Sequence, residues 1–472
     1  MTMKHLIILV LASCSTALSS YPPAASTVPQ CSAGTPDDGL DDTAAVQNAI
    51  AAQCCLGPGV YDIDMAPTPP TGRRAYNMLT IAAGQELCGS GQLATMLRFR
   101  GDATGQDWRG VEMVGGSVHD LVIDTSALTG TSEQTHAIHA TGPARGIAIY
   151  DVTISHPIRG AWPGGDCIDL VGYAPSQLIT GVVVRDSVLA HCDRGGVQAH
   201  SGVVGLTVER TVFADTGDLD INSEGSGANA TWTIVNNTFA ASLNNQGATA
   251  IALDLVDGAT VTGNVLARGV YLYSCTHCSI VANTIEQRSG VSTAAVIEAI
   301  KGSNDLLIAE NTVTRDAAQR AGPVIHVGPH GTAQSRDVRI VHNVLDQRTD
   351  ADVVFVEGMY GLRLDDNDVR YTGSAPNVFG IRALGSGGAS GTVVERIALT
   401  GNRFTGALTS AVLISGAANR RGVGAVHAAW NTSDAPGLRC GELSGITGPL
   451  TLVYNAWPIG SCGVPSLAVT LP

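Results

Sequence analysis

The sequence predicts an all-β protein, a solenoid of stacked short strands that is closed near its start by one helix. Three observations predict this fold. The chain has 56 Gly residues but only 4% aromatic and 14% charged residues, which is typical of many short strands and turns. A short unit recurs along the chain, and each copy follows an apolar strand. One segment before the repeats has the pattern of a capping helix.

The first residues have the pattern of an export signal. A short basic start precedes an apolar run over residues 6–12 and then small residues, a run too short to span a bilayer stably. We therefore predict a signal peptide over residues 1–13. The motif LASC, which ends at Cys14, resembles a bacterial lipobox, in which the Cys becomes the lipidated first residue. Ordinary cleavage after Ala17 or Ser19 is the alternative.

The next two segments lead into the repeats. A tether rich in Pro, Ser and Ala is predicted over residues 14–30, followed by an N-terminal cap and first coils over residues 31–109. Within the cap, the pattern predicts a helix near 41–52, with Asp41 or Asp42 as its N-cap. This helix would cover the open end of the solenoid and block edge-to-edge pairing.

The repeated unit carries an Asn at its second position, directly after an apolar strand. Asn tolerates left-handed turn geometry and can hydrogen-bond to the equivalent Asn of the next coil, which forms a ladder. One coil cannot bury its apolar side alone, so the coils must stack. We predict repeats over residues 110–437 and a C-terminal cap over 438–472. The Asn residues of the ladder are Asn237, Asn264, Asn283, Asn311, Asn343, Asn367 and Asn402.

Cysteine usage and net charge limit the environment and the partners. Besides Cys14, ten of the 11 cysteines remain, an even number that favours disulfides in an exported chain. Cys275 and Cys278 have the spacing of a zinc half-site, but no second half follows, which favours a disulfide or two free thiols. The net charge of −14 argues against nucleic acid as a partner. It also disfavours a polyanionic substrate unless a metal ion intervenes.

Four segments resemble the pectate-lyase-like superfamily of right-handed parallel β-helices. They are PDDGLDDTAAVQNAI, GPGVYDID, LCGSGQLATMLRF and HDLVIDTS, and the resemblance covers about residues 34–430. It implies a single-stranded right-handed parallel β-helix (β-solenoid) with an N-terminal capping helix. The superfamily includes glycoside hydrolases, polysaccharide lyases, uronate epimerases, phage tailspikes and non-catalytic surface proteins. The resemblance is therefore specific for the fold and weak for the reaction.

Aligning the inward apolar residues of five coils predicts a wall of polar side chains on the outer face. The inward pairs used for this register are Ile138/Ala140, Ile168/Leu170, Val197/Ala199, Leu219/Ile221 and Ile251/Leu253. Because side chains alternate along a strand, the expected outward residues are His139, Asp169, Gln198, Asp220, His200, Asn222, Asp254 and Asp218. The sequence also places Tyr271 and Tyr273 one coil further on, Asp166 and Arg194 at strand entrances, and Trp162 in a loop over the trough.

Such a trough suits an extended polysaccharide, because a strand spacing of ~4.8 Å places about one sugar ring across each coil. We expect the catalytic residues to be Asp169, Asp218, Asp220 and Arg194. We expect the substrate-binding residues to be His139, Gln198, His200, Asn222, Asp254, Tyr271, Tyr273 and Trp162.

Two reactions fit these residues, and a third possibility is not catalytic. Asp218 and Asp220 would have Cα atoms ~6.7 Å apart, which favours inversion if the reaction is hydrolysis. β-Elimination would use Arg194 as base and Ca²⁺, with Asp166 as a ligand, to neutralise a uronate carboxylate; hydrolysis needs no cofactor. The expected function is thus an exported glycoside hydrolase or polysaccharide lyase. A non-catalytic glycan-binding or adhesive surface protein is the alternative.

The lipobox predicts that the mature chain begins at a lipidated Cys14 and is held at a bacterial cell surface or outer membrane. This lipid would be the chain's contact with a membrane; otherwise the protein is secreted. Mass spectrometry of the protein expressed in a bacterial host should find a lipidated Cys14 at the N-terminus. An unmodified N-terminus at Ser15 or later would contradict this prediction.

Overall fold

The structure is a computed structural model of the 472-residue chain. It describes residues 29–31, 34–65, 75–102, 107–129, 134–156, 165–173, 175–225, 227–241, 249–288, 294–329, 333–384, 394–415, 425–433 and 450–453. In this part of the chain, no helix has both the length and the apolar character needed to cross a membrane.

The predicted capping helix is present and spans Thr43–Ala52. Asp42 occupies the N-cap position, but the carboxylate of Asp41 accepts the backbone N–H of Thr43 at 3.0 Å. The helix ends at Gln53, which adopts a left-handed conformation with φ of 53°. Its buried face packs into the first coils and continues the core; this face consists of Val46, Ala49 and Ile50.

The described strands stack into a right-handed parallel β-solenoid of about 12 turns. A sheet of 13 parallel strands, called sheet 1 below, runs along one side. Its strands are Ala75–Ile81, Asp107–Met113, Thr135–Thr141, Ile168–Val171, Val197–Ala199, Ile221–Ser223, Thr249–Asp254, Gly269–Tyr273, Ile297–Ile300, Ile325–Val327, Val354–Glu357, Phe379–Leu384 and Ser410–Ser415. The predicted all-β solenoid with a helical cap is therefore confirmed.

The remaining sides of each coil are formed by a wrapping sheet that is also parallel throughout. Its first strands are Gly59–Asp64, Glu86–Cys88, Thr95–Asp102, Gly116–Thr129, Ala144–Ser155, Ile179–Arg185, Val188–Ala190, Val203–Glu209, Val212–Ala214, Asn229–Ala230, Thr233–Val235, Thr238–Phe239, Val256–Asp257, Thr260–Thr262 and Val265–Leu266. It continues with Ser279–Val281, Thr284–Gln287, Asn304–Ala309, Thr312–Arg315, Arg336–Val341, Val344–Gln347, Tyr360–Asp365, Asp368–Tyr371, Glu395–Thr400, Arg403–Gly406, Val426–Ala429, Thr432–Ser433 and Leu450–Val453. A separate two-stranded pairing joins Gln30–Cys31 to Cys55–Leu56.

A ladder of buried Asn side chains holds one corner of the wrapping sheet, as predicted. Asn311 is typical: its backbone N–H and its Nδ2 both donate to Asn343 Oδ1, at 2.9 and 3.0 Å. Its own Oδ1 accepts the equivalent two bonds from Asn283. All seven predicted Asn residues are 0–1% exposed, and Asn431 extends the ladder by one coil. The interior between the sheets is filled by aliphatic side chains in one continuous core.

Four disulfides lie in the described residues. They join Cys31 to Cys54, Cys55 to Cys88, Cys167 to Cys192 and Cys275 to Cys278. The expectation of disulfides is therefore confirmed, and for Cys275 and Cys278 the disulfide is the correct alternative. Cys14, Cys440 and Cys462 lie outside the described residues.

Replacing Asn311 by Ala should destabilise the protein by about 3 kcal/mol, because buried backbone and amide groups on both sides of the ladder would lose their partners. Urea or thermal denaturation measures the loss. Thr312→Ala is the matched control, because Thr312 is the next residue and is exposed, so a surface substitution of this kind changes stability little. Equal stability of the two variants would contradict a stabilising ladder.

Candidate functional site

The outward face of sheet 1 carries a continuous column of polar side chains. Backbone pairing aligns Glu112 with His139, His139 with Asp169, Asp169 with Gln198, and Gln198 with Asn222. Adjacent members are one strand spacing apart, ~4.8 Å, so their side chains meet. We call these five residues the sheet 1 wall. The predicted outward placement of His139, Asp169 and Gln198 is confirmed.

The predicted register is wrong at the next strand. Val197 pairs with Ile221 and not with Leu219, so Asn222 takes the position beside Gln198 that the sequence pattern assigned to Asp220. The strand begins only at Ile221, and the preceding residues form a corner. Side-chain alternation holds within extended backbone, and a corner interrupts it.

Asp220 is consequently buried and does not face the trough. Its side chain is 1% exposed, and its Oδ2 accepts a hydrogen bond from Arg268 Nη2 at 2.5 Å. Its Oδ1 accepts the hydroxyl of Thr216 at 2.6 Å. Arg268 is itself 0% exposed. Asp220 is thus one half of a buried ion pair in the interior of the solenoid, and the expectation that it faces outward in the same column as Asp169 is wrong.

Asp169 lies at the centre of a histidine cluster. His136 Nε2 and His139 Nε2 lie 3.4 and 3.3 Å from its Oδ2, and His200 Nε2 lies 3.2 Å from its Oδ1. Burial of Asp169 acts to raise its pKa, but the three facing imidazoles outweigh that effect and lower the pKa. Asp169 is therefore a carboxylate held ionised by its neighbours.

Each imidazole of the cluster has its own acidic neighbour on the opposite nitrogen. Glu112 Oε2 bonds to His139 Nδ1 at 2.8 Å, and Asp166 Oδ2 lies 3.2 Å from His136 Nδ1. Glu224 Oε2 lies 3.8 Å from His200 Nδ1. A carboxylate on one ring nitrogen fixes the orientation of the ring and determines which nitrogen carries the proton.

The environments of the three imidazoles differ in burial. Desolvation dominates for His139 and lowers its pKa. Desolvation also acts on His136 and His200, but the charge of Asp169 outweighs it, so both pKa values are raised. The His200 side chain is 32% exposed, whereas those of His136 and His139 are 3% and 2% exposed. Of the three, His200 is the imidazole that solvent or a ligand reaches.

A pocket of about 430 Å³ opens over the cluster. His139, Asp169 and His200 line it together with Arg109 and Tyr173. Arg109 donates to Glu112 at 3.2 Å and its side chain remains 27% exposed. Tyr173 is 55% exposed and offers an aromatic face of the kind on which sugar rings pack.

Two further charged residues of the predicted set lie near the acids of the cluster. Arg194 Nε lies 3.3 Å from Asp166 Oδ1, and its Nη2 lies 3.9 Å from Glu224. Asp218 is exposed. Surrounding protein atoms nevertheless desolvate it and raise its pKa, against the effect of Arg268 and Arg194. The structure therefore brings Asp169, Arg194 and Asp166 together, with His200 beside them and Asp218 nearby.

The trough continues toward the C-terminus with aromatic and charged side chains. Tyr271 and Tyr273 stack with ring centroids 5.8 Å apart, and Lys301 Nζ lies 4.0 Å above the Tyr273 ring. Burial raises the pKa of Tyr271 to about 12 and also raises the pKa of Asp254. The predicted binding residues Tyr271, Tyr273 and Asp254 therefore share the face of the wall, several coils away from Asp169.

Several residues of the site were not predicted from the sequence. They are Arg109, Glu112, His136, Tyr173 and Glu224 in the cluster and pocket, and Glu298, His326, Phe355 and Arg382 further along the same column. The signal for Arg109 and Glu112 was present in DWRGVEM, which alternates polar and apolar residues one coil before the first aligned strand, and His136 lies in THAIHAT, that first aligned strand itself. Trp162 lies outside the described residues.

Two groups of side chains have the separation of metal ligands. In the first, Glu86, Cys88 and His119, the sulfur of Cys88 is bonded to Cys55 and is not a ligand. In the second, His136, Asp166 and Asp169 each offer one ligand atom within 4.8 Å of the others. This second group includes Asp166, the residue that the sequence singled out as a metal ligand.

Comparison with solved structures identifies the fold. The A-module of the Azotobacter vinelandii mannuronan C-5 epimerase AlgE6 matches 84% of this chain and 96% of its own, with a TM-score of 0.52 and 16% identity. This chain shares the parallel β-helix fold of that module. The fold resemblance stated above is thereby confirmed.

The other comparisons do not assign this chain to a family. The catalytic domain of a GH87 α-1,3-glucanase in complex with nigerose matches 93% of this chain and 70% of its own, with a TM-score of 0.47 and 11% identity. No protein-family model and no curated protein match the sequence.

Arg268→Met should destabilise the protein by about 3–5 kcal/mol, because it leaves the charge of Asp220 buried without a partner. Adding Asp220→Leu should restore most of the lost stability, since an apolar pair replaces a buried ion pair at little net cost. Chemical denaturation of the two variants provides the test. The control is Arg288→Met, which removes an exposed arginine paired with Glu286 and should leave the denaturation midpoint unchanged. A midpoint for Arg268→Met equal to that of the control would show that the pair contributes nothing.

Proposed function

We propose that this chain is an exported polysaccharide-active enzyme that cleaves uronate-containing chains by β-elimination in the pocket above Asp169. One observation carries the proposal: His200 is partly exposed beside the pocket, faces the buried carboxylate of Asp169 with one nitrogen, and stands near Arg109 and Arg194. This combination of a positioned imidazole and nearby cations is suited to moving a proton next to a carboxylate group.

His200 is the residue that we assign to the proton transfer. Its Nε2 faces Asp169 Oδ1 at 3.2 Å, which favours a proton on Nε2 and leaves the lone pair on Nδ1. Nδ1 takes the proton from the carbon next to the uronate carboxylate. The electron pair of that C–H bond forms a C=C bond, and the glycosidic C–O bond at the next ring carbon breaks. The departing sugar oxygen then receives a proton from solvent.

Arg109 and Arg194 supply positive charge for the substrate. Removing a proton next to a carboxylate builds up negative charge on its oxygens, and guanidinium groups stabilise that charge by paired hydrogen bonds. Arg109 lines the pocket, and Arg194 lies 3.9 Å from Glu224, which is in turn 3.8 Å from the pocket residue His200. Local cations of this kind also offset the net charge of −14, which would otherwise disfavour an anionic substrate.

The expected inverting hydrolysis has less support from the same residues. It needs two carboxyl groups on either side of the scissile bond, one of them protonated. Asp220 is buried against Arg268, and the imidazoles around Asp169 lower its pKa. Asp218, with its raised pKa, is the acid that would remain. Hydrolysis is therefore an outcome that the assay below distinguishes from elimination.

The non-catalytic alternative predicts aromatic residues and few charges along the trough. The stacked Tyr271 and Tyr273 fit that description, whereas the cluster around Asp169 does not. We assign the tyrosines and Asp254 to binding of the chain beyond the pocket. Disulfides in the described residues support export. The solved module of the same fold is named for mannuronan, a uronate chain, which agrees with the proposed substrate class.

The test is an assay of the purified chain against a panel of acidic and neutral polysaccharides. We expect an acidic polysaccharide to yield products with the ultraviolet absorbance of unsaturated uronates. New reducing ends without that absorbance would indicate hydrolysis. Inversion at the uronate carbon without cleavage, detected by NMR, would indicate epimerisation. No change in any polysaccharide of the panel would favour the binding protein.

His200→Gln should lower the activity at least ~10²-fold, because glutamine keeps a polar side chain but accepts no proton at neutral pH. The melting temperature should stay within a few degrees, since His200 is partly exposed. His277→Gln serves as control, because His277 is an exposed histidine paired with Asp257 outside the pocket. Full activity of the His200 variant would contradict the assignment.

A further inference from the structure

Beneath the pocket, the imidazole of His136 lies between two buried carboxylates. Its Nδ1 is 3.2 Å from Asp166 Oδ2, and its Nε2 is 3.4 Å from Asp169 Oδ2. One nitrogen and one oxygen of each carboxylate form a set of ligand atoms within 4.8 Å of one another. Ligand atoms of a tetrahedral ion with bonds of about 2.1 Å are about 3.4 Å apart, so side-chain movements of up to about 1 Å would bring all three onto one ion.

The carboxylate of Asp166 gives an independent indication of a ligand. Asp166 is 0% exposed, yet neither of its oxygens accepts a hydrogen bond from any residue in the described part of the chain. His136 Nδ1 accepts the backbone N–H of Asp166 at 3.3 Å, so this nitrogen has no proton to donate to Oδ2. A buried carboxylate without a hydrogen-bond donor is costly, and a cation bound by Oδ2 would remove that cost.

Arg194 does not provide a partner for Oδ2 of Asp166. Its Nε lies 3.3 Å from Oδ1 of Asp166, and the opposite oxygen, Oδ2, faces His136. In the same way His200 lies beside Oδ1 of Asp169, whereas His136 lies beside Oδ2. Oδ2 of each carboxylate therefore faces His136, and Oδ2 of Asp169 also lies 3.3 Å from His139 Nε2. The other oxygen, Oδ1, faces Arg194 in Asp166 and His200 in Asp169.

The donor set identifies the class of ion. Calcium prefers six to eight oxygen ligands, and the cluster offers an imidazole nitrogen with two carboxylates, so the calcium expected for a lyase does not fit here. A ring nitrogen with carboxylate oxygens suits zinc and related first-row ions. We propose that His136, Asp166 and Asp169 bind one first-row transition-metal ion of the Zn²⁺ class.

This site is independent of the proposed function. A binding protein would hold such an ion equally well, and elimination through His200 requires none. Three protein ligands leave further positions of the ion open. Asp169 would then bind the ion through Oδ2 while its Oδ1 faces His200.

Metal binding to the full chain tests the proposal directly. Protein freed of metal with a chelator is titrated with Zn²⁺ by calorimetry, and we expect one ion per chain together with a rise in melting temperature. Ca²⁺ at the same concentration should give neither effect. Co²⁺ in place of Zn²⁺ should give the visible absorption of an ion with a nitrogen ligand and low coordination number. Absence of Zn²⁺ binding to the wild-type chain overturns the proposal.

Variants locate the ion. Asp166→Asn and His136→Gln should each weaken Zn²⁺ binding by about tenfold to 100-fold or more. Asp218→Asn is the matched control, because it makes the same chemical change at an exposed acid outside the ligand set, and it should bind Zn²⁺ like the wild type. Unchanged Zn²⁺ affinity in folded Asp166→Asn protein overturns the assignment. If that variant does not fold, unchanged Zn²⁺ affinity of the His136 variant, or a Co²⁺ spectrum of the wild-type chain without a nitrogen ligand, overturns the assignment instead.

Discussion

Hydrogen bonding between successive coils is the constraint on which the rest of this structure depends. Each inner strand of sheet 1 pairs in parallel with the strands of the coils before and after it, and a buried Asn ladder holds one corner of the coils from Asn237 to Asn431. Together they hold equivalent residues in register at a spacing of ~4.8 Å. A side chain's neighbours are therefore determined by its position in the coil more than by its neighbours in the sequence.

This register explains why ionisable groups collect around Asp169. Glu112, His139 and Asp169 come from three different strands, yet they occupy the same position in successive coils. Stacking the coils brings these side chains into contact whether their charges attract or repel one another. Burial of a carboxylate among them is tolerated because imidazoles surround it, and each imidazole has a second acidic neighbour. The cluster is therefore stable only as a set of compensating charges.

A second buried carboxylate, two coils further on, has a different partner and a different location. Asp220 lies one residue before its strand, at a corner, and its carboxylate enters the interior, where Arg268 and Thr216 bind it. Asp169 lies within its strand and reaches the floor of the pocket. Two acids that look equivalent in the sequence thus differ in function: one contributes to a buried ion pair, and the other organises a site that a ligand reaches. The position of the corner decides between these outcomes.

The sequence by itself determined the solenoid, because its repeat and the inward apolar residues are local patterns. The Asn ladder, the capping helix and the pairing of His139, Asp169 and Gln198 all follow from such patterns. Only the tertiary structure decided where each strand begins and which distant residue neutralises a buried charge. Arg268 is 48 residues from Asp220, and no local pattern links them. The convergence of His136 and Asp166 on Asp169 likewise depends on the path of the chain around the corner, because side-chain alternation predicts directions only within extended backbone.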